Sequence, residues 1–326
     1  MHKECNLKIP GKVVINGSYI VLEGEYASCI TLNRYLNINI KIRSSDTFGI
    51  SLRIKGRENY SYNNSDKGDE GDGYLDKIIN TSLEYINMDR NVCIEITGHF
   101  DKDFFLDKDI KTGLGSSSCI YISIVYSLLQ VGKTDLDKKD FIKVDQDLIK
   151  EDQIDLDLIN AMYYINNIIN PNASGCDVMT SLLGPINFSR SSIKKLILPC
   201  RYIILGTFGK STCTRKMLSL INESDWSKIK VINNKIIQEN ENIISLYREY
   251  LDEMYSINKL IVPDKQYKIL KDTFMYRICG CGISGAGGED AVWCITDNKE
   301  DIKKYWDGVF DYVIVCELID HGLVSY

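Results

Sequence analysis

Residues 111–118, with the sequence KTGLGSSS, combine two glycines and three serines, residue types that suit phosphate binding. Glycine lets a backbone approach a ligand closely, and the apolar residues that follow at helical spacing predict that this stretch opens a helix. The N-terminus of a helix presents unpaired N–H groups and attracts anions. Serine hydroxyls can bind phosphate oxygens or Mg²⁺. We therefore predict a phosphate-binding loop rather than a turn that only caps a helix.

Three other stretches contain residues that could do chemistry. Residues 206–212 (GTFGKST) do not form a P-loop, because that motif needs a glycine at position 204, where Ile stands. Residues 280–288 hold five glycines, which brings backbone close to a ligand or to another strand, and both interpretations stay open. Asp177 is a lone carboxylate before an apolar run. Taken alone, such an Asp is more often a helix cap than a catalytic group.

Strands and helices are mixed in both halves, which predicts the α+β class. Apolar residues alternate over residues 13–54, as in half-buried strands, whereas residues 56–73 are polar and predict a loop. Residues 134–160 predict one or two amphipathic surface helices, and residues 226–258 predict one long helix. The sequence changes character near residues 188–198, where we place a domain boundary.

Composition excludes several classes of protein. The 326 residues carry a net charge of −6 without a basic stripe, so nucleic acid is not an expected partner. No apolar run is long enough to span a membrane, and the first residues lack the apolar segment of a signal peptide. We therefore predict a cytoplasmic protein without a membrane partner. The eleven cysteines are expected to be reduced and mostly buried, and Cys279 and Cys281 lack the second pair that a zinc site would need.

Three segments resemble, in order, the three motifs of the GHMP kinases. They are residues 10–22 (PGKVVINGSYIVL), residues 111–118 and residues 284–290 (SGAGGED). The resemblance extends from residue 9 to about residue 296. It implies an N-terminal ATP-binding domain over residues 1–190, similar to ribosomal S5 domain 2, and a ferredoxin-like C-terminal domain over residues 191–326. ATP and Mg²⁺ would bind between them.

Within this superfamily the chain most resembles the phosphomevalonate kinases. Tyr19 stands where mevalonate kinases carry His, residues 173–178 (ASGCDV) resemble a phosphomevalonate kinase segment, and residues 209–215 (GKSTCTR) resemble its substrate-binding segment. Ser18 and Cys213 depart from the family pattern, which expects Glu and Ser at these positions.

The resemblance implies transfer of phosphate from ATP to the small molecule 5-phosphomevalonate, a step in the mevalonate route to isoprenoids. The alternatives are mevalonate kinase or another GHMP small-molecule kinase, and a non-catalytic sensor with the same fold. The implied catalytic residues are Lys12, Lys111 and Asp177. ATP binding is implied for Lys111, Thr112, Gly113, Leu114, Gly115, Ser116, Ser117 and Ser118, Mg²⁺ binding for Ser116 and Ser117, and acceptor binding for Tyr19, Ser174, Gly175, Thr214, Arg215, Gly285, Ala286, Gly287 and Gly288.

Overall fold

The structure is a computed structural model of mixed helices and strands. It describes residues 2–63, 73–88, 91–106, 110–134, 142–149, 154–198, 200–210, 212, 217, 219, 224–238 and 242–326. The strands are β1 (His2–Asn16), β2 (Ala27–Ser44), β3 (Gly49–Ile54), β4 (Tyr60–Asn63), β5 (Ile86–Met88), β6 (Val92–Phe100), β7 (Gly132–Thr134), β8 (Lys143–Val144), β9 (Ile186–Phe188), β10 (Ser192–Lys195), β11 (Tyr202–Thr207), β12 (Gly280–Ile283), β13 (Val292–Thr296), β14 (Tyr312–Ile319) and β15 (Val324–Ser325). The helices are α1 (Gly73–Tyr85), α2 (Ser116–Leu129), α3 (Leu156–Ile169), α4 (Cys176–Leu183), α5 (Ser227–Gln238), α6 (Ile243–Ile257), α7 (Asp264–Thr273) and α8 (Lys299–Asp307).

A long antiparallel hairpin of β1 and β2 forms the centre of the main sheet. Strand β2 also pairs with β6, β9 and β14, and the principal strand order is β12-β13-β11-β14-β2-β6-β3-β4. The predicted alternation is confirmed, because Ile38, Ile40 and Ile42 are buried while the residues between them are only partly so. The C-terminal strands join the N-terminal ones where Leu318 and Ile319 of β14 pair with β2.

Helices α2 and α4 cover the sheet near its central hairpin. Most of α2 is buried, which follows from its apolar composition and its packing against α1, α3, α4 and β1. Helix α4 lies against β1 and β2, and its residues from Val178 to Leu183 are buried. The two helices therefore begin close to the same strand, β1. None of the helices in the described ranges is long and apolar enough to cross a membrane.

Three local predictions were wrong. The predicted helix over residues 226–258 is two helices, α5 and α6, and α6 starts after Asn242, whose φ of 61° is left-handed and interrupts helical backbone. The polar stretch after Gly56 includes β4, which is held by pairing with β3, while residues 64–72 lie outside the described residues. Within residues 142–160, β8 pairs with β10, and the α-helix α3, which begins there, is largely buried instead of lying on the surface.

Cys200 and Cys279 form a disulfide, which differs from the expectation of reduced thiols. They precede β11 and β12, two strands that both pair antiparallel with β13, so their starts lie at the same end of the sheet. Most of the free cysteines in the described residues are buried, as expected. The predicted domain boundary at residue 190 stays a prediction.

Gly322 packs directly on the end of α4, and we predict that Gly322→Ala destabilises the fold. A Cβ at this position would collide with the backbone carbonyl of Leu182, which cannot move away as a flexible side chain would. Overpacking of this kind typically costs about 1–3 kcal/mol, so Tm should fall by about 3 °C or more. Gly73→Ala is the control, because a Cβ there meets no atom of the described residues within 4 Å. Equal melting temperatures for the two variants would contradict this packing.

Candidate active site

A pocket of about 430 Å³ lies where β1, the N-termini of α2 and α4, and the glycine-rich turn after β12 meet. Each of these elements contributes side chains or backbone to the wall. The pocket brings together most of the site residues expected from the sequence. Those that line it are Lys12, Tyr19, Lys111, Gly113, Gly115, Ser116, Ser117, Ser118, Ser174, Gly175, Asp177, Gly285 and Ala286.

The loop before α2 curves because two of its glycines adopt left-handed backbone. Gly113 has φ of 84° and Gly115 has φ of 82°, values that side-chain-bearing residues rarely adopt. Gly115 also needs to lack a side chain, because a Cβ would lie 2.7 Å from Lys12 Cε. The loop thus places the start of α2 directly beside the Lys12 side chain. This is the geometry expected of an anion site at a helix N-terminus.

Thr112 and Leu114 do not line the pocket and instead anchor the loop to the neighbouring backbone. The Thr112 hydroxyl donates to the carbonyl oxygens of Asp103 at 2.6 Å and Phe104 at 3.0 Å. The carbonyl oxygen of Leu114 accepts a hydrogen bond from the Lys12 N–H at 3.0 Å. Both side chains are buried. The two residues therefore anchor the loop to its surroundings.

Lys12 and Asp177 form an ion pair in the wall of the pocket. Lys12 Nζ lies 2.9 Å from Asp177 Oδ1, and the lysine side chain is 9% exposed whereas the aspartate side chain is 52% exposed. Burial is the largest single influence and would lower the pKa of Lys12, but the charge and the hydrogen bond of Asp177, together with smaller contributions from Cys29 and Cys176, raise the pKa overall. Lys12 therefore stays charged, in a place where a bound anion would meet it.

Helix α4 presents Asp177 to the pocket in its first turn. The helix starts after Gly175, whose φ of 86° turns the chain sharply, and a Cβ there would lie 3.2 Å from Asn166 Nδ2. Ser174 Oγ accepts a hydrogen bond from the Cys176 N–H at 3.2 Å, which supports the same turn. The alternative that Asp177 only caps a helix does not hold, because Gly175 is the N-cap and the Asp177 side chain contacts Lys12.

The serines at the start of α2 differ in their surroundings. Ser118 Oγ donates to the Gly115 carbonyl oxygen at 2.7 Å, so its hydroxyl proton is used within the helix. Lys111 Nζ donates to Ser117 Oγ at 3.4 Å. Ser116 and Ser117 line the same pocket as Asp177, and hydroxyl and carboxylate oxygens suit Mg²⁺. Because the described residues contain no cluster of three or more acidic, His or Cys side chains, a metal here would also need oxygens from a ligand or water.

Tyr19 and the glycine-rich turn after β12 form another part of the pocket wall. The Tyr19 hydroxyl donates to the carbonyl oxygen of Ala286, and its ring stacks on Trp226 with centroids 5.1 Å apart. Burial raises the pKa of Tyr19, so the phenol is neutral. The N–H of Gly285 donates to the Val14 carbonyl oxygen at 3.4 Å, which ties the turn to β1.

Four predicted acceptor-binding residues do not contribute to the described pocket wall. Gly287 and Gly288 lie behind it, where Gly287 packs against the Ile261 carbonyl group and Gly288 against Thr212. Their N–H groups donate to the carbonyl oxygens of Ser284 and Ile261 at 3.0 Å and 2.7 Å. Thr214 and Arg215 lie outside the described residues.

Several residues that line the pocket were not identified from the sequence, among them Asn166, Thr212 and Asp290. Asn166 is 3% exposed, and its Nδ2 has no partner among the described residues although it faces the pocket region near Gly175. Asn166 lies within α3, and no residue pattern in that segment indicated that it was a functional residue. Thr212 and Asp290 also line the pocket. Asp290 was already part of the SGAGGED motif, and the presence of a carboxylate beside so many glycines could have singled it out.

We predict that Gly115→Ala and Gly113→Ala affect ligand binding very differently. Both glycines have nearly the same left-handed φ, so both substitutions carry a similar backbone cost of about 1–2 kcal/mol. Only the Cβ at position 115 would displace Lys12, since a Cβ at position 113 meets no atom within 4 Å in the part of the chain that the structure describes. In titrations with Mg-AMPPNP, Gly115→Ala should weaken binding about tenfold more than Gly113→Ala. Similar dissociation constants for both variants would show that the Lys12 position does not depend on this glycine.

No family model and no curated protein sequence matches the chain. Its structure is similar to that of the Lin0012 protein from Listeria innocua, with a TM-score of 0.74, 17% identity and 99% coverage of both chains. Mevalonate kinase from Methanococcus jannaschii has a TM-score of 0.66, 18% identity and 98% coverage of both chains. Phosphomevalonate kinase from Streptococcus pneumoniae, in complex with phosphomevalonate and AMPPNP, has a TM-score of 0.67 and 15% identity over 98% of this chain and 100% of that chain. The chain therefore has the two-domain fold of the GHMP kinases, which confirms the predicted fold class.

Proposed function

We propose that this chain is an ATP-dependent small-molecule kinase that phosphorylates 5-phosphomevalonate to 5-diphosphomevalonate. The observation that carries the proposal is the Lys12–Asp177 ion pair, which lies beside the left-handed Gly115 at the start of α2. A phosphate-binding helix terminus, a buried cation and a carboxylate that faces the acceptor are the parts that phosphoryl transfer needs.

The N-terminal loop of α2 would hold the phosphates of ATP. Gly113 and Gly115 allow the backbone to approach the phosphate oxygens, and Lys111 adds positive charge at the exposed side. Ser116, Ser117 and Asp177 would provide oxygen ligands or hydrogen bonds to water ligands for Mg²⁺. When bound, Mg²⁺ would neutralise negative charge on the phosphates.

Lys12 would stabilise the phosphoryl group during transfer. Its charge is retained because Asp177 stabilises it, and its burial makes the charge more effective than that of an exposed lysine. Asp177 would orient the attacking oxygen of the acceptor. Tyr19, Ser174, Gly175, Gly285 and Ala286 would surround the rest of the acceptor, and Asn166 Nδ2 would offer a buried hydrogen-bond donor from the pocket wall.

A kinase for an alcohol acceptor, such as mevalonate, is the second candidate. Among the described lining residues, the charges of Lys12 and Lys111 are balanced by those of Asp177 and Asp290. A pocket with little net positive charge is better suited to an acceptor that carries one phosphate fewer. The structural likeness to mevalonate kinase from Methanococcus jannaschii is consistent with this candidate as well.

Release of ADP distinguishes the two candidates and also the non-catalytic sensor. The purified protein is incubated with Mg-ATP and, separately, with mevalonate, 5-phosphomevalonate, 5-diphosphomevalonate, galactose or homoserine. We expect 5-phosphomevalonate to have the highest kcat/KM, by about 100-fold or more over mevalonate, because a site that binds a charged phosphate discriminates strongly against an acceptor that lacks it. A higher value for mevalonate would overturn the proposed acceptor, and the absence of ADP release with every compound would favour a sensor.

Asp177→Asn and Lys12→Met test the assigned roles. A phosphate acceptor has its second pKa near 6 and is largely deprotonated at pH 7, so it needs little help from a base. Asp177→Asn should therefore reduce kcat by less than about 100-fold, whereas an alcohol acceptor would lose the full contribution of a base, about 10²–10⁴-fold. Lys12→Met should reduce kcat by about 10³-fold or more, because it removes a buried charge from the reacting phosphates.

The measurement is kcat with saturating ATP and 5-phosphomevalonate between about pH 6 and 9. Lys111→Met is the matched control for Lys12→Met, because Lys111 is an exposed lysine of the same pocket. It should lose less activity than Lys12→Met. If Asp177→Asn were the most damaging of the three at every pH, while folding and ATP binding were unchanged, Asp177 would be a general base and not mainly an orienting group.

A further inference from the structure

Asp290 is a second carboxylate in the pocket, and both polar groups of its backbone form hydrogen bonds within the protein. Its N–H donates to the Gly287 carbonyl oxygen at 3.4 Å, and its carbonyl oxygen accepts from Gln266 Nε2 at 3.0 Å. In the side chain, Oδ1 accepts a hydrogen bond from the Thr212 N–H at 2.7 Å. No donor within the described part of the chain contacts Oδ2. One oxygen of a pocket-lining carboxylate is thus held by the protein, whereas none of the described residues holds the other.

Thr212 fixes the direction of this carboxylate through a reciprocal contact. While its N–H binds Asp290, its Oγ1 accepts a hydrogen bond from the Glu289 N–H at 2.8 Å. The side chain of Thr212 also packs over Gly288, where a Cβ would lie 2.7 Å from Thr212 Oγ1. Thr212 is therefore held on two sides, and Asp290 has little freedom to turn away.

The charge of Asp290 limits which ligand groups can bind beside it. Burial raises the pKa of Asp290 to about 6, although the Thr212 N–H and the charge of Lys12 both act to lower it. The carboxylate is therefore mostly ionised at pH 7 and can only accept hydrogen bonds. It would repel a phosphate or a carboxylate group of a ligand, whereas a hydroxyl group would donate to it.

We infer that Asp290 determines acceptor specificity by accepting a hydrogen bond from a hydroxyl group of the acceptor, and that Thr212 is the positioning residue that holds Asp290 for this contact. This inference rests on the proposed function and extends it. The acceptor must carry a hydroxyl group that is distinct from the phosphate to which the new phosphoryl group is attached. In 5-phosphomevalonate that group is the hydroxyl at C3, which would lie against Asp290 while the phosphate end lies toward Lys12.

The test compares 5-phosphomevalonate with the analogue in which hydrogen replaces the C3 hydroxyl. We expect the wild-type protein to prefer the hydroxylated compound by about 30-fold or more in kcat/KM, because the analogue leaves a half-buried carboxylate without its partner. Asp290→Ala removes that carboxylate, so the preference should fall to about threefold or less. Asp290→Asn keeps an acceptor for the Thr212 N–H and should give an intermediate preference even if Asp290→Ala does not fold.

Two further variants separate positioning from general structural damage. Thr212→Val removes the Oγ1 contact at nearly constant shape and should reduce the preference about fivefold while the KM for ATP changes less than twofold. Lys210→Ala is the matched control, because Lys210 forms a 2.7 Å ion pair with Glu289 in which both side chains are more than half exposed. It should leave the preference unchanged.

The results distinguish this inference from the proposed function. If wild-type protein turns over neither compound, the proposed acceptor is wrong and the inference falls with it. If wild-type protein phosphorylates 5-phosphomevalonate but shows no preference over the analogue, or if Asp290→Asn and Asp290→Ala keep the full wild-type preference, the proposed function stands and the inference alone is overturned.

Discussion

A buried lysine cannot remain charged in a protein unless an opposite charge or a set of hydrogen bonds compensates for the water it has lost. Lys12 has Asp177 as that partner, at 2.9 Å. The Lys12–Asp177 pair constrains the glycine loop before α2 and the position of α4. Gly115 must lack a side chain so that the lysine can pass, and α4 must begin where its first turn can present Asp177. The β1 strand, which carries Lys12, lies between these two helix starts.

The sheet satisfies these requirements by bringing distant segments to one place. The antiparallel pairing of β1 with β2 fixes β1 at the centre of the fold, and α2 and α4 pack against that hairpin. The turn after β12 reaches the same pocket from the C-terminal part of the chain, through the hydrogen bond from Gly285 to Val14 and the contact between Tyr19 and Ala286. The side of the pocket that includes Tyr19 and this turn therefore depends on how the two parts of the sheet join at β14 and β2.

The pocket has two chemically different sides. The side formed by the start of α2 offers left-handed glycines, hydroxyl groups and the Lys111 ammonium, all of which suit phosphate. The other side includes Tyr19 and Asp290, whose groups are held by protein hydrogen bonds, and it suits a ligand with an uncharged polar group. Lys12 lies between these sides, where its charge acts on both. Such a division would orient an acceptor relative to ATP without a large change in structure.

Local features of the sequence determined the class of the fold, the strand alternation in β2 and the glycine loop before α2. These are short-range properties, since apolar periodicity and the conformational freedom of glycine act over a few residues. The motif order also indicated Lys12, Lys111 and Asp177 as site residues, and all three line one pocket. The break at Asn242 was missed because asparagine is compatible with either a helix or a left-handed turn.

Tertiary structure alone decided the partners of these residues. An Asp near a helix start is a cap by local rules, yet Asp177 contacts Lys12, which is 165 positions away in the sequence and is brought close by packing of α4 on β1. Asn166 became a pocket residue only because α3 turns that face inward, and Asp290 acquired a fixed carboxylate only through Thr212. Contacts of this kind depend on long-range packing, and no periodicity or spacing within a single segment encodes them.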